Sequence, residues 1–401
     1  MTSSFKSIRR FCLASILLFS ACSDNSQNQN HSSKDSTADE MVIAPGKQPM
    51  RLLTDRPMNL ETPLHYFLLD YTPNDVFFVR WHLAVLPDKV DPDTFRLRID
   101  GHVQKPLTLS INDLKTKFNP VTITALAQCS GNSRSFFDPR VPGGQWKNGA
   151  MGNAKWTGVR LCDLLKAAGL KKEAFDVVFN GLDAALMPET PDFVKSLRLE
   201  KALDTTLVVA YEMNGKEIPL LNGYPLKLVV PGWYATYWVG MLSDIHVQPD
   251  TFGGFWMKTA YLVPKGVKNG NEKPDSLATE MQPMGKMDVR SIFVTPEPDS
   301  ILAVGETVEF QGLAMDGGDG IVSVEISADG GKTWKPTQLD AELGKFSWRR
   351  WRYKWNPTSE GTFHFKVKAT NAVGDTQPEH QWNRSGYMRD EIEELVITVS
   401  K

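Results

Sequence analysis

A change of texture near Asp288 limits the fold of this chain more than any other feature. Beyond it the sequence runs in short apolar and polar alternations such as "SIFVT", "TVEFQGLAM", "IVSVEIS", "RRWRYKW" and "TFHFKVKAT", separated by Gly/Asp turns such as "DGGDG". Alternation of period two buries one face of each strand and leaves the other to solvent. Several short strands of this kind, evenly spaced, are the pattern of two sheets packed face to face. Residues 288–401 are therefore expected to form an all-β sandwich.

The stretch before it reads differently. "DVFFVRWHLAV" and "TFRLRIDG" are strand-like, rich in β-branched and aromatic residues. "GVRLCDLLKAAGL" has Leu161, Leu164 and Leu165 on one helical face, with Gly169 placed to cap the C-terminus. "TTLVVAYEMNGKEIPL" reads as a hairpin turning at Asn214-Gly215 in a type I′ turn. "YPLKLVVPGWYATYWVGML" reads as a strand region broken at Pro231-Gly232. Helices and strands are interspersed without regular β-α alternation, which predicts an α+β domain over 46–287 rather than a doubly wound sheet. The 401 residues, 41% of them hydrophobic, suit two or three domains with a large core. No low-complexity linker divides 46–287 from 288–401, so the two are expected to pack together. The net charge of -2, with no long basic tract, argues against nucleic-acid binding.

The first residues read as an export signal. Lys6, Arg9 and Arg10 precede an apolar run from Phe11 to Phe19 that is too short to span a bilayer. Ser20-Ala21-Cys22 follows, similar to a bacterial lipobox, in which Cys22 is lipidated and becomes the mature N-terminus; an ordinary cleaved signal peptide is the alternative. "SIRRFCL" also invites a twin-arginine reading. The reading is a signal peptide over 1–21 and a polar, disordered tether over 22–45. The protein is then exported, periplasmic or anchored to a bacterial membrane only through its N-terminal lipid.

Of four cysteines, Cys12 leaves with the signal and Cys22 is acylated, so Cys129 and Cys162 remain. Two thiols make no disulfide framework. Cys162 reads as a small core residue of its helix, in preference to a disulfide with Cys129. Cys129 ends an apolar run and opens the polar loop "CSGNSR", with Arg134 and Arg140 beyond. It could be an inert core thiol, a nucleophile or a soft-metal ligand. Neighbouring cations favour the ionised sulfur that attacks or binds metal. No Cys-His pairing signature and no zinc-like spacing accompany it. A metal held by this one thiolate would take its other ligands from elsewhere, such as an organic cofactor.

The blocks "LAQCSGNSRSFF", "GGQWKNGAMGNAKWTGVRLCDLL", "AYEMNGKEIP", "GYPLKLVVPG" and "FWMKTAY", in that order and followed by "QPEHQWN", resemble the sulfite oxidase family of molybdenum enzymes. The resemblance implies a molybdopterin-binding catalytic domain followed by an Ig-like dimerisation domain, and hence a homodimer. It implies Mo-molybdopterin as cofactor, the metal held by one pyranopterin dithiolene and by Cys129. Arg80 and Arg134 match family arginines that bind a small oxyanion, and Tyr261 matches the active-site tyrosine. A third arginine of the C-terminal domain corresponds to Arg384 or Arg389. Arg80, Trp81, His82, Asp183, Asn222, Lys227, Trp238, Val239 and Gly240 correspond to cofactor contacts. Asn222 stands where animal enzymes carry His, Lys227 where they carry Arg, and Gly240 where the family usually has Lys.

The implied reaction is oxidation of sulfite to sulfate. No C-x-x-C-H haem motif occurs in the chain, so the expected electron acceptor is a separate protein such as cytochrome c. Two rivals remain. One is another oxotransferase on the same scaffold, such as a sulfoxide reductase, although the related methionine-sulfoxide reductases lack the Ig-like domain. The other is a cofactor-free binding lipoprotein.

Overall fold

The structure, a computed structural model, describes residues 40–401. The expected signal peptide, Cys12, Cys22 and the tether as far as residue 39 lie outside the described residues.

Two five-stranded sheets dominate the first part. One runs Lys195–Arg198, Asp176–Asn180, Asp244–Gln248, Leu97–Gly101, Leu107–Leu109, with a single parallel pairing between Asp244–Gln248 and Leu97–Gly101. The other runs Lys216–Glu217, Val208–Met213, Met151–Arg160, Pro120–Gln128, with Lys227–Val229 also paired to Val208–Met213. A four-stranded sheet nearer the N-terminus ends on Val79–Arg80. The helix Leu161–Ala168 buries Leu161, Cys162, Leu164 and Leu165, and Gly169 follows with φ 69°. It closes the apolar face that the leucine spacing predicts. Asn214 and Gly215 join Val208–Met213 to Lys216–Glu217 with φ 54° and 73°, the left-handed pair that a type I′ turn requires. Helix and strand mix here without alternation, as the α+β reading expects.

The second part holds two sheets. Arg290–Thr295, Val308–Met315, Arg349–Trp355 and Gln338–Leu339 form one; Ile301–Ala303, Glu393–Ser400, Gly361–Asn371, Ile321–Ser327 and Lys335–Pro336 form the other. Along Gly361–Asn371 the side chains of Phe365, Val367 and Ala369 are fully buried while Lys366 and Lys368 between them are only half-buried. Phe310 and Trp351 from the facing sheet complete that core. At roughly 1.5–3 kcal/mol for each large apolar side chain removed from water, this layer alone is a substantial stabilising term. The sandwich does not stand apart. Ile292, Val294, Leu313 and Trp348 bury themselves in the core of the first part instead, and Leu126 donates to the Phe346 carbonyl at 2.8 Å.

Two strand expectations need correction. Within 75–85 only Val79–Arg80 pairs as strand. Arg80, Trp81 and His82 are consecutive and all three face one cavity, which alternation cannot achieve. Beyond Pro231-Gly232 the chain forms the 3-10 turn Ala235–Tyr237 rather than a second strand, and Ala235, Thr236, Trp238 and Gly240 face the same cavity. In both places backbone regularity gives way to a wall built of closely spaced side chains.

Candidate active site

Strand Pro120–Gln128 delivers Cys129 to the end of its sheet, where the loop turns sharply. The Cys129 N–H donates to the Ala150 carbonyl at 2.9 Å, and its carbonyl accepts from Asn132 N–H at 3.0 Å. Asn132 Oδ1 accepts from Ala150 N–H at 2.9 Å, binding the loop to the next strand. Ser133 takes φ 68°, and Arg134 begins the short 3-10 turn Arg134–Phe136. The Gly-rich polar loop after the cysteine therefore folds tightly around Arg134. A Cβ on Gly131 would lie 2.7 Å from that guanidinium, one on Gly143 2.8 Å, and one on Gly386 2.7 Å from its Nε. Cys129 and Cys162 are both free thiols, and both are buried.

Cys129 lines a cavity of about 720 Å³, including its mouth, together with Arg80, Trp81, His82, Asp183, Asn222, Lys227, Trp238, Gly240 and Tyr261. Ten of the fourteen residues singled out in the sequence thus meet in one place. Arg134 is buried just beyond, separated from Tyr261 by one aromatic ring, that of Tyr387. The Val239 side chain turns away into the core, 2% exposed. Arg384 and Arg389 do not line this cavity, though Arg384 lines an adjoining pocket shared with Tyr261 and Tyr387. Arg384 pairs with Glu272 at 3.1 Å, and Arg389 with Glu393 at 3.1 Å.

The electrostatics centre on Tyr261. Arg80 Nη2 donates to its hydroxyl at 3.5 Å, and His82 Nε2 pairs with the same hydroxyl. The oxygen accepts from Arg80, which leaves the phenol proton for a neutral imidazole. Burial, then the nearby charges of Arg80 and Lys195, hold His82 well below the usual histidine value. Burial raises Tyr261 above the ordinary phenol value despite Arg80. Burial alone would lower Arg80, but Tyr261 and Cys129 outweigh it and raise it. Lys195, 1% exposed, sits 5.0 Å from the Tyr261 ring centroid and 4.7 Å from that of Tyr237, with Nζ bonded to the Trp256 carbonyl at 2.7 Å. Burial lowers it to about 7. Among the described residues, none of Arg80, Arg134 and Lys195 pairs with a carboxylate. Two buried cations and a half-buried one without counter-ions make a site that favours an anion. Tyr261 itself holds φ 60°, a left-handed conformation costly for a bulky aromatic residue and one that clusters at functional sites.

The opposite wall is built to receive a polar ligand. Ser130 Oγ, Asp183 Oδ2 and Thr236 Oγ1 are buried without a hydrogen-bond partner, and all three residues line the cavity. Burial, then Asp192, lifts Asp183 to about 7, so near neutral pH it can offer a proton. Lys227 is lowered to about 8 by burial, opposed by Asp183, and its Nζ bonds the Asn222 carbonyl at 3.1 Å. Both ends of the Asn222 amide are engaged, by Lys47 at 2.6 Å and by the Phe78 carbonyl at 2.9 Å. A side chain at Gly240 would be crowded. A Cβ there would lie 3.0 Å from Gly223 Cα, 3.2 Å from the Trp81 ring and 3.7 Å from Lys227 Nζ. Lys227 Nζ already places a cation beside this position.

Residues 82–256 match the oxidoreductase molybdopterin binding domain, and 281–399 match the Mo-co oxidoreductase dimerisation domain. Human mitochondrial sulfite oxidase is 32% identical over 382 residues, covering 91% of this chain and 68% of that protein. The chain belongs to the sulfite oxidase family. Sulfite oxidase of Arabidopsis thaliana is 29% identical over 373 residues, covering 86% of this chain and 93% of that one. The solved sulfane dehydrogenase SoxCD of Paracoccus pantotrophus shares the fold, with TM-score 0.74 and 24% identity over 87% of this chain and 88% of that one. The protein is thus an enzyme of the sulfite oxidase type with Mo-molybdopterin as its cofactor. The unpartnered oxygens of Ser130, Asp183 and Thr236, the crevice at Gly240 and the single soft sulfur of Cys129 fit such a group.

Lys195 and Tyr387 escaped the sequence reading. In "FVKSLRL" Lys195 stands in register with Phe193 and Leu197, both buried, and an inward-facing lysine in an apolar strand is a legible sign of function. Tyr387 stands between the two arginines considered for the same region, and no sequence pattern sets it apart.

Proposed function

We propose that this enzyme oxidises sulfite to sulfate, SO3²⁻ + H2O → SO4²⁻ + 2 H⁺ + 2 e⁻, and passes the electrons to an external acceptor such as cytochrome c. The observation that carries this reading is the group of three cations, half-buried Arg80 and buried Arg134 and Lys195, around Tyr261 with no carboxylate partner among the described residues. A small sulfur oxyanion supplies the counter-charge that the protein withholds.

The cofactor, when bound, supplies the oxygen-atom transfer and the two-electron redox change. The chain's own residues do the rest. Cys129 holds the metal. Arg80 binds the anion through its guanidinium fork, and Arg134 adds positive charge from behind. Tyr261 stays a neutral phenol, its proton engaged by His82 and its oxygen by Arg80. Asp183, Lys227, Ser130 and Thr236 hold the pterin side. Trp81 and Trp238 close the cavity, their indole nitrogens bonded to the Leu221 and Val230 carbonyls at 2.9 Å.

The proposal includes the organisation expected from sequence. A signal over 1–21 exports the protein to the periplasm, Cys22 carries the lipid and 22–45 is the tether. The catalytic part spans 46–287, and the sandwich over 288–401 joins two copies as a homodimer, a reading supported by the dimerisation-domain match. The test is sulfite-dependent reduction of cytochrome c by purified protein of known molybdenum content. Molybdenum-replete protein that leaves cytochrome c and artificial one-electron acceptors oxidised in the presence of sulfite would overturn the reading.

A further inference from the structure

Both nearby arginines of the sandwich spend their guanidiniums on carboxylates, Arg384 on Glu272 and Arg389 on Glu393. The residue between them, Tyr387, packs directly on Tyr261. Its ring lies almost parallel to that of Tyr261, with centroids 5.1 Å apart and planes at 19°. The Arg134 guanidinium stands over the same Tyr387 ring, 4.8 Å from its centroid. The neighbours of Tyr387 fasten the contact. The Gly386 carbonyl accepts from Arg134 Nε at 2.9 Å, and Met388 N–H donates to the carbonyl of Ser130, next to Cys129, at 2.9 Å.

Resting on the sulfite-oxidation reading above, we propose that Tyr387 is a positioning residue of the oxyanion site: its aromatic face fixes the Arg134 guanidinium and the Tyr261 phenol relative to each other. Two features point to the ring as the active part. A guanidinium is weakly hydrated and stacks well on an aromatic face, which offers negative potential without the full charge that would cancel Arg134. A carboxylate at this place would hold the arginine as firmly but neutralise the field that draws the anion. Tyr261 in its left-handed conformation also needs a neighbour to define its ring plane, and Tyr387 covers it.

The test compares Tyr387→Leu and Tyr387→Phe as molybdenum-loaded protein. Sulfate, the product anion, is titrated by calorimetry, and sulfite kinetics are measured alongside. Tyr387→Leu is expected to weaken sulfate binding about tenfold and to raise the sulfite KM in step, with kcat changed by less than about threefold. Tyr387→Phe is expected to restore both to within about twofold of the parent. Tyr387→Met keeps most of the bulk without the ring; it is read in the same way and takes the place of the leucine variant should that fail to fold. In an Arg134→Met background, removing the ring should cost less than in the parent, because part of its effect passes through Arg134. Unchanged or tighter sulfate binding without the ring, failure of phenylalanine to rescue, or fully additive losses would each overturn the proposal. A protein that does not oxidise sulfite yet binds sulfate in this ring-dependent way would sink the reaction and leave the positioning role standing.

Discussion

Cys129 combines two properties that a core thiol does not need together. It is held by backbone bonds at both its N–H and its carbonyl, and it lines a cavity that Arg80 and Lys227 also line. Cys129→Ser replaces a soft sulfur with a hard hydroxyl of nearly the same size. Sulfite turnover should disappear while the melting temperature stays within about 2 °C of the parent; molybdenum per chain and cytochrome c reduction check it, and unchanged activity would remove the ligand role. Lys195 gives a pH signature. Burial lowers it to about 7, so below that pH it is charged and assists anion binding, and as the pH rises through 7 it becomes neutral. Sulfite affinity should therefore fall on the alkaline side in the parent, and this limb should be missing from Lys195→Met, the titration of sulfite itself being common to both. The stability effect has the same window. An unfolded lysine stays protonated up to about 10.4, so the cost of burying the ammonium is full below pH 7 and fades as the pH rises towards the unfolded value. Lys195→Met should therefore gain stability most at low pH, which chemical denaturation at pH 6 and pH 9 would show. At this scale the sequence revealed the residues whose setting looks wrong for their type: a cysteine before a polar loop and an arginine within an apolar run. It hid Tyr387, because an aromatic residue in a loop is ordinary until its two neighbours in space are known.

At the scale of elements, legibility followed regularity. The helix Leu161–Ala168 and the hairpin at Asn214-Gly215 obey local rules, a leucine face in one and a left-handed pair in the other, and both form as the spacing demands. The walls of the cavity obey none. In 75–85 and 234–242 the side chains answer to the ligand space instead of to a period of two or 3.6, so apolar content alone suggested strands where the chain coils. Asn214 shows how much a regular element can rest on one residue. Its Nδ2 donates to the Thr72 carbonyl and to Asn74 Oδ1, both at 2.9 Å, while its Oδ1 accepts from Lys155 N–H at 2.9 Å. Asn214→Ala removes these bonds and keeps a positive φ that alanine resists. A loss of about 2–3 kcal/mol is expected in denaturant unfolding, with the sulfite KM unchanged because the turn lies outside the cavity. A shifted KM would mean that the hairpin reaches further into the site than its bonds show.

Across the whole molecule, the two halves of the sequence are one structure at the active site. The texture change near Asp288 foretold a sandwich but not that this sandwich would brace the cysteine loop. The brace is a buried charge network. Arg290, 2% exposed, donates to Ser133 Oγ at 2.8 Å, to Asn148 Oδ1 at 2.9 Å and to Glu393 Oε2 at 3.3 Å. Glu393 also accepts from Asn148 Nδ2 at 2.7 Å and from Arg389 at 3.1 Å. One carboxylate thus serves two arginines, one of which holds the residue just before Arg134. Burial alone would raise Glu393, but Arg290 and Arg389 outweigh it and bring it below the ordinary glutamate value. A depressed carboxylate contributes stability that is present above the unfolded value, about 4.3, and is lost as the pH falls through the folded one. Glu393→Gln leaves Arg290 without its counter-charge and Arg389 with Glu391 alone at 3.4 Å, and breaking a buried pair in this way costs about 3–5 kcal/mol. Chemical denaturation near neutral pH should register that loss, and the variant should lose most of the parent's extra sensitivity to acid. Sulfite KM should rise as well, because Ser133 and Arg134 are adjacent and the first is held from the sandwich. A Glu393→Gln protein as stable as the parent, with the same KM, would mean that the loop keeps its shape unaided and that the sandwich contributes nothing to the site beyond Tyr387.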